Sequence, residues 1–177
     1  MARSGSKAWR RGGSRFWFSA CFDPAPDEAQ APSAPPDVEP AEACLRRRHP
    51  GARLLLAEDE PVGREIALDL LHSAGLRVVA AEDGEVALNL ARSQPYDLIL
   101  MDMQMPKLNG IDAARAIRAD SRNMATPIVA MTANAFDSDR RLCLDAGMND
   151  HIGKPVDPAL LYQTVLKWLD DRDQAGL

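Results

Sequence analysis

From Arg53 onward the chain alternates between two kinds of apolar spacing. Short continuous runs, RLLLA (53–57), LRVVAA (76–81), YDLILM (96–101), PIVAMT (127–132) and DHIG (150–153), read as strands. Each is followed by a stretch with helical periodicity. In 61–75, Pro61 opens a helix and Gly75 closes it, and Val62, Ile66, Leu70 and Ala74 recur at helical spacing with Ala67 and Leu71 beside them. Residues 84–94 form a second helix stopped by Pro95. Further helices are predicted around 110–119, around 137–146 ending at Gly147, and over 157–171 with Pro158 in its first turn. The result is a strand–helix unit repeated five times. Strands that are apolar along their whole length, rather than at alternate positions, are covered on both faces. The fold class is therefore α/β, a doubly wound five-stranded parallel sheet with helices on each side.

Upstream the character differs. Residues 23–50 carry seven of the chain's 13 prolines and almost no large apolar side chain. Too little surface can be buried there to offset the ordering entropy, so 23–52 is predicted to be a disordered Pro/Ala-rich linker. Charge divides at the same point: residues 1–52 hold 8 Lys and Arg against 6 Asp and Glu, and residues 53–177 hold 13 against 20. An acidic folded part argues against nucleic acid as a partner, since binding to phosphate backbones rests on Lys and Arg. No apolar run approaches the roughly 20 residues of a membrane span, and FWFSACF (16–22) is too short for a signal-peptide core. A cytoplasmic protein is expected. Cys21, Cys44 and Cys143 form no CxxC pair and are odd in number, which indicates free thiols rather than a disulfide framework or a zinc site.

The candidate chemistry sits where the strands end, because open α/β sheets collect function at the carboxyl ends of their strands. The first strand ends in Glu58-Asp59-Glu60, the third in Asp102, the fourth in Thr132 and the fifth in Lys154-Pro155. Any one of these alone is an ordinary cap or turn residue. Together they deliver carboxylates, a hydroxyl and an ammonium to one rim. Converging carboxylates repel unless a cation joins them, and hard oxygen ligands beside an open face suit Mg2+. A lysine and a hydroxyl alongside complement a phosphoryl group, which leaves one carboxylate as the nucleophile for an aspartyl-phosphate.

The segments LLLAEDE, DLILMDMQMPKLNG, PIVAMTANA and GMNDHIGKPV resemble, in identity, order and spacing, a response-regulator receiver domain of two-component signalling. The resemblance covers residues 53–171 and implies a flavodoxin-like (βα)5 sheet with strand order 2-1-3-4-5. It implies that Asp102 is the phospho-acceptor, that Asp59 ligates Mg2+ directly with Glu58 as its partner, and that Asp102 and the backbone carbonyl of Gln104 complete the metal site. Thr132 would be the switch hydroxyl, with the small Ala133 beside it. Lys154 would pair with Asp102 and then with the phosphate, Lys154–Pro155 would be a cis bond, and Gly110 would end the turn after the acceptor. Gln104 and Asn134, two positions after Asp102 and Thr132, fall where residues tune the lifetime of the phosphate. His151 stands where many members carry Tyr or Phe as the second switch residue, a form more similar to the receivers of hybrid sensor kinases.

GGSRFWFSACF (12–22) is similar to the end of a histidine-kinase ATPase domain. Residues 1–22 thus read as a remnant of such a domain, 23–52 as a linker, 53–171 as the receiver and 172–177 as a short tail, the order found in the C-terminal part of a hybrid sensor histidine kinase. The implied partners are a sensor histidine kinase or a histidine phosphotransfer domain, and a second receiver in a homodimer through the fourth helix, fifth strand and last helix. Three other readings are weaker. A Mg2+-dependent phosphohydrolase with an aspartyl nucleophile needs a second acid two residues on, where this chain has Gln104. A binding-only relative would lack one of the required groups. A transcription factor would need more than the six residues that follow the last predicted helix. Because the carboxylate is consumed and regenerated, a self-phosphorylating and self-dephosphorylating module is expected, not a turnover enzyme. His49 and His72 have no acidic neighbour in a phospho-transfer pattern, and Leu161, Val165 and Trp168 read as core by their spacing.

Overall fold

The computed structural model describes residues 3–8, 14–19, 39–133 and 137–175, and the chain divides into two units, Met1–Val38 and Glu39–Leu177. In the first unit β1 (Arg3–Ala8) and β2 (Ser14–Ser19) pair antiparallel, with Gly5 opposite Trp17. A strand does run through Phe16–Phe18; residues 1–2, 9–13 and 20–22 lie outside the described residues, and with them both ends of the stretch 12–22 that resembles a kinase ATPase domain.

The second unit opens with a departure from expectation. Instead of linker as far as residue 52, it begins with α1 (Ala41–Arg48). The prolines of this region flank the helix at Pro40 and Pro50 and spare its interior. Glu42 in the first turn and Arg46, Arg47 and Arg48 in the last complement the helix dipole. Only Leu45 is large and apolar, so no periodicity announces the helix; docking holds it. Leu45 is fully buried in the core shared with the last helix. Arg46 donates to the Ser73 carbonyl (3.1 and 2.5 Å), and Arg48 and His49 reach Asp170 at 2.8 and 2.7 Å.

From there the strand–helix alternation follows. The elements are β3 (Arg53–Ala57), α2 (Pro61–Ser73), β4 (Arg77–Ala81), α3 (Gly84–Ser93), β5 (Leu98–Asp102), α4 (Gly110–Ala119), β6 (Ile128–Thr132), α5 (Asp137–Asp145), β7 (Asp150–Gly153) and α6 (Pro158–Ala175). The strands are parallel in the order β4-β3-β5-β6-β7, which is 2-1-3-4-5 when these five are counted alone. Alternate residues supply the two faces. Leu54, Leu56, Leu98, Leu100, Val129 and Met131 pack with α1, α2 and α6, and Leu55, Ala57, Ile99, Met101, Ile128 and Ala130 pack with α3, α4 and α5. Both faces are covered, which is why the strand runs are continuous in sequence.

Two further departures bear on function. Residues 172–175, expected as tail, continue α6, where Arg172 pairs with Asp97. The stripe on α2 is split: Ala67, Leu71 and Ala74 are buried, whereas Val62 is 61% and Ile66 52% exposed. The first turns of α2 start at the carboxyl rim, where the sheet has run out. Leu161 and Val165 are fully buried and Trp168 is half-buried.

Because α1 is docked through a single large apolar side chain, Leu45→Ala should lower the unfolding free energy by about 2–5 kcal/mol in a urea titration, with one cooperative transition retained. A loss under about 0.5 kcal/mol, the size of an ordinary surface change, would mean that α1 is not part of the folded unit.

Candidate functional site

β5 is the central strand, buried at every position, and it ends in Asp102, which is 4% exposed. β3 on one side continues into Glu58, 3% exposed, and β6 on the other ends in Thr132, 4% exposed. The β6–β7 ladder runs on to the Lys154 amide, which donates to the Thr132 carbonyl at 2.8 Å. The sheet thus presents all four side chains on one rim, from strands whose relative positions are fixed by backbone hydrogen bonds. The Lys154–Pro155 bond is cis.

Lys154 joins the two buried acids. Its Nζ lies 2.7 Å from Asp102 Oδ2 and 2.7 and 2.6 Å from the two carboxylate oxygens of Glu58. The other oxygen of Asp102, Oδ1, accepts from the Gln104 amide at 3.0 Å. Burial pushes the Glu58 carboxyl above its ordinary value, and the Asp102 charge adds to this against the opposing pull of Lys154. Burial alone would lower the Lys154 ammonium, but its bonds to Asp102 and Glu58 prevail and hold it above the ordinary lysine value.

The loops around this pair are tied down. Arg64 Nη1 donates to the carbonyls of Glu58 (2.8 Å) and Asp59 (3.2 Å), and Glu60 caps α2 by accepting from the amides of Val62 and Gly63. A Cβ on Gly110 would come within 2.1 Å of the Asp102 carbonyl oxygen, so a glycine is needed where α4 begins against the Asp102 backbone. On the neighbouring turn, Asp83 is 2% exposed and accepts from Lys107 Nζ at 2.5 Å. The sequence marks no role for Arg64, Asp83 or Lys107, and Glu60 stands out in it only as one of the acids that end the first strand. Asp83 precedes a helical run and carries the cap signature, whereas glutamate is not a usual capping residue and the reach of Arg64 and Lys107 leaves no mark in the sequence.

Glu58, Asp59, Asp102, Thr132 and Lys154 therefore converge, as does the Gln104 backbone. Asn134 lies outside the described residues. His151 sits on β7 with its side chain 29% exposed and Nδ1 at 3.9 Å from Asp150 Oδ1; Asp150 is engaged by Lys167 (2.8 Å) and the Trp168 indole N–H (3.0 Å). His49, which lacks acidic sequence neighbours, has them in space: Nε2 is 2.7 Å from Asp170 and Nδ1 3.5 Å from Asp173. Those acids come from α6, and the cluster belongs to the α1–α6 contact, not to this site.

One ligand oxygen from each of Glu58, Asp59 and Asp102 can be chosen so that all lie within 4.8 Å of one another. The set is all oxygen, and Asp59 is its most open member. That fits a hard divalent cation that keeps part of its water.

Residues 54–166 match the family model of the response regulator receiver domain. The sensor protein GacS of Pseudomonas syringae is 42% identical over 119 residues, covering 66% of this chain and 13% of GacS, so the chain spans only a small part of such relatives. The crystal structure of the receiver domain of sensor histidine kinase PA1611 from Pseudomonas aeruginosa, with a magnesium ion in its active site cleft, is 43% identical. It superposes with a TM-score of 0.64 over 68% of this chain and 98% of that one. The receiver domain of Ssk1 from Saccharomyces cerevisiae, solved with the phosphotransfer protein Ypd1, is 30% identical with a TM-score of 0.63, over 67% of this chain and 89% of that one. Among the described residues no helix is long and apolar enough to cross a membrane.

The raised Lys154 ammonium fixes the sign of a pH effect. Its contribution to stability is complete below about 10.4, the unfolded value, and is lost as pH rises through the higher folded value. In metal-free buffer, wild-type stability should therefore fall more steeply above pH 10 (roughly, by the same reference value) than that of Lys154→Met, measured by urea titration. Equal slopes would contradict the pairing.

Proposed function

The chain belongs to the response regulator receiver family of two-component phosphorelays, and we propose that it takes a phosphoryl group from a phosphohistidine onto Asp102, with Mg2+ held by Glu58, Asp59, Asp102 and the Gln104 carbonyl. The observation that carries this is the ammonium of Lys154 bridging two buried carboxylates beside a third, open one.

Each oxygen of Asp102 accepts a single strong hydrogen bond, from Lys154 or from the Gln104 amide, and keeps lone pairs. One of them attacks phosphorus as the P–N bond to the donor's imidazole breaks, with the electron pair leaving on nitrogen. When bound, Mg2+ neutralises charge on the transferring oxygens. Lys154 exchanges its bond to the carboxylate for one to the new phosphoryl group, and Thr132 donates its hydroxyl to the same group. Water attack on phosphorus later restores the carboxylate. The residue is consumed and regenerated, so the chain is a signalling module and not a turnover enzyme. Gln104 and Asn134 set the rate of that attack.

Val62, Ile66, Pro155 and Val156 line an apolar groove whose walls include Glu58 and Lys154. A donor seated there lies beside the acceptor. We assign this groove to the sensor kinase or histidine phosphotransfer domain in the cytoplasm, with nucleic acid excluded by the acidic character of the fold. The output face is α5, β7 and α6, where Leu144 is exposed beside His151 and where a second receiver is the alternative occupant.

Acetyl phosphate tests the chemistry. Wild type should gain one phosphoryl group by intact mass in Mg2+ and none in EDTA, and Asp102→Asn should gain none in either. An adduct on Asp102→Asn would sink the assignment.

The groove is tested separately by Ile66→Asp. The residue is 52% exposed, so the fold should be unaffected. Transfer from a phosphorylated histidine phosphotransfer protein should slow by about tenfold or more, with acetyl phosphate labelling unchanged. Unimpaired transfer would move the donor elsewhere.

A further inference from the structure

The turn after β4 and the loop after β5 are joined by one ion pair whose two ends are unusual. Asp83 is a buried carboxylate, 2% exposed, and Lys107 is the non-glycine residue with positive φ (62°) in the acceptor loop. Their contact is 2.5 Å. A lysine in the left-handed region is held against its preference, and such backbone persists only where surroundings fix it.

Asp83 has a second task. Its Oδ1 caps α3 by accepting from the Val86 amide at 2.8 Å. An asparagine would cap as well, so capping does not account for a buried charge. What needs the charge is Lys107. The ammonium also lowers the Asp83 carboxyl below its ordinary value. The two loops touch besides at Gly84, where a Cβ would stand 1.9 Å from the Leu108 carbonyl oxygen. At its ends the acceptor loop is closed by Met103 N–H to the Met131 carbonyl (3.0 Å) and Gly110 N–H to the Met103 carbonyl (3.1 Å). Between those ends lies Gln104, whose amide already binds Asp102.

We propose that Asp83 and Lys107 are positioning residues: a strut from the β4–α3 turn that holds the acceptor loop so that the Gln104 amide and carbonyl face Asp102 and the metal. An ion pair on the open surface contributes little, but here one partner is enclosed and the loop it holds carries groups of the site. The inference rests on the reading of this site as a Mg2+ and phosphoryl site.

The test uses the full chain and four variants: Asp83→Asn, which keeps the cap and removes the charge, Lys107→Gly, which frees the backbone and removes the ammonium, the two combined, and Lys107→Arg, which keeps the charge. Mg2+ affinity is measured by calorimetry, the Gln104 amide by NMR, and the melting temperature alongside. Asp83→Asn and Lys107→Gly should each weaken Mg2+ by about tenfold, less than additively together, with the Gln104 amide resonance displaced. Lys107→Gly should not lower the melting temperature, since glycine adopts this φ freely. Lys107→Arg should retain most of the affinity. Unchanged affinity and resonance in both charge-removing variants, or an equal loss in Lys107→Arg, would overturn the proposal. If wild type binds Mg2+ but takes no phosphoryl group from acetyl phosphate, and the variants still weaken Mg2+, the transfer reading falls and the strut stands. Absence of Mg2+ binding in wild type overturns both.

Discussion

Two carboxylates, Glu58 and Asp102, are buried side by side at the end of a sheet, and the ammonium of Lys154 is what lets them stay there. Unpaired, buried charges of like sign repel and give up their hydration, and proteins respond by neutralising one of them. Lys154 supplies that neutralisation across a rim of four strands, β3 to β7. It does so only because the β3–β5–β6–β7 ladder fixes where each strand ends, so a helix-by-helix assembly without the sheet would not bring these groups within hydrogen-bond reach.

The same constraint explains the crowding around Asp102. The proposed role of Asp102 as phospho-acceptor requires that its backbone not shift. α4 therefore starts directly against its carbonyl, at a position with no room for a side chain, and Arg64 grips the carbonyls of the acidic turn opposite. One rim of the sheet is rigid and polar. The apolar first turns of α2 lie next to it and are open, with Glu58 and Lys154 in the walls of the same groove.

The sequence and the structure agree where the signal is local. Continuous runs such as Leu54–Leu56 and Leu98–Met101 declare strands covered on both sides, and the acids, Thr132 and Lys154 are legible because each directly follows such a run. What is not local stays hidden. α1 contains a single large apolar residue, Leu45, and its docking depends on Asp170, far along the chain. Val62 and Ile66 share the spacing of buried residues, but periodicity cannot say that a helix starts beyond the edge of its sheet. The ties from Lys107 to Asp83 and from Arg172 to Asp97 likewise exist only once the chain has folded.

The proposed phosphoryl group on Asp102 is tested by chemical trapping of the acyl phosphate. Borohydride reduction of the phosphorylated chain, followed by peptide mapping, should find homoserine at position 102 and at no other acidic residue. Reduction at Asp59 or Glu58, or a label that resists reduction and maps to His151, would contradict it.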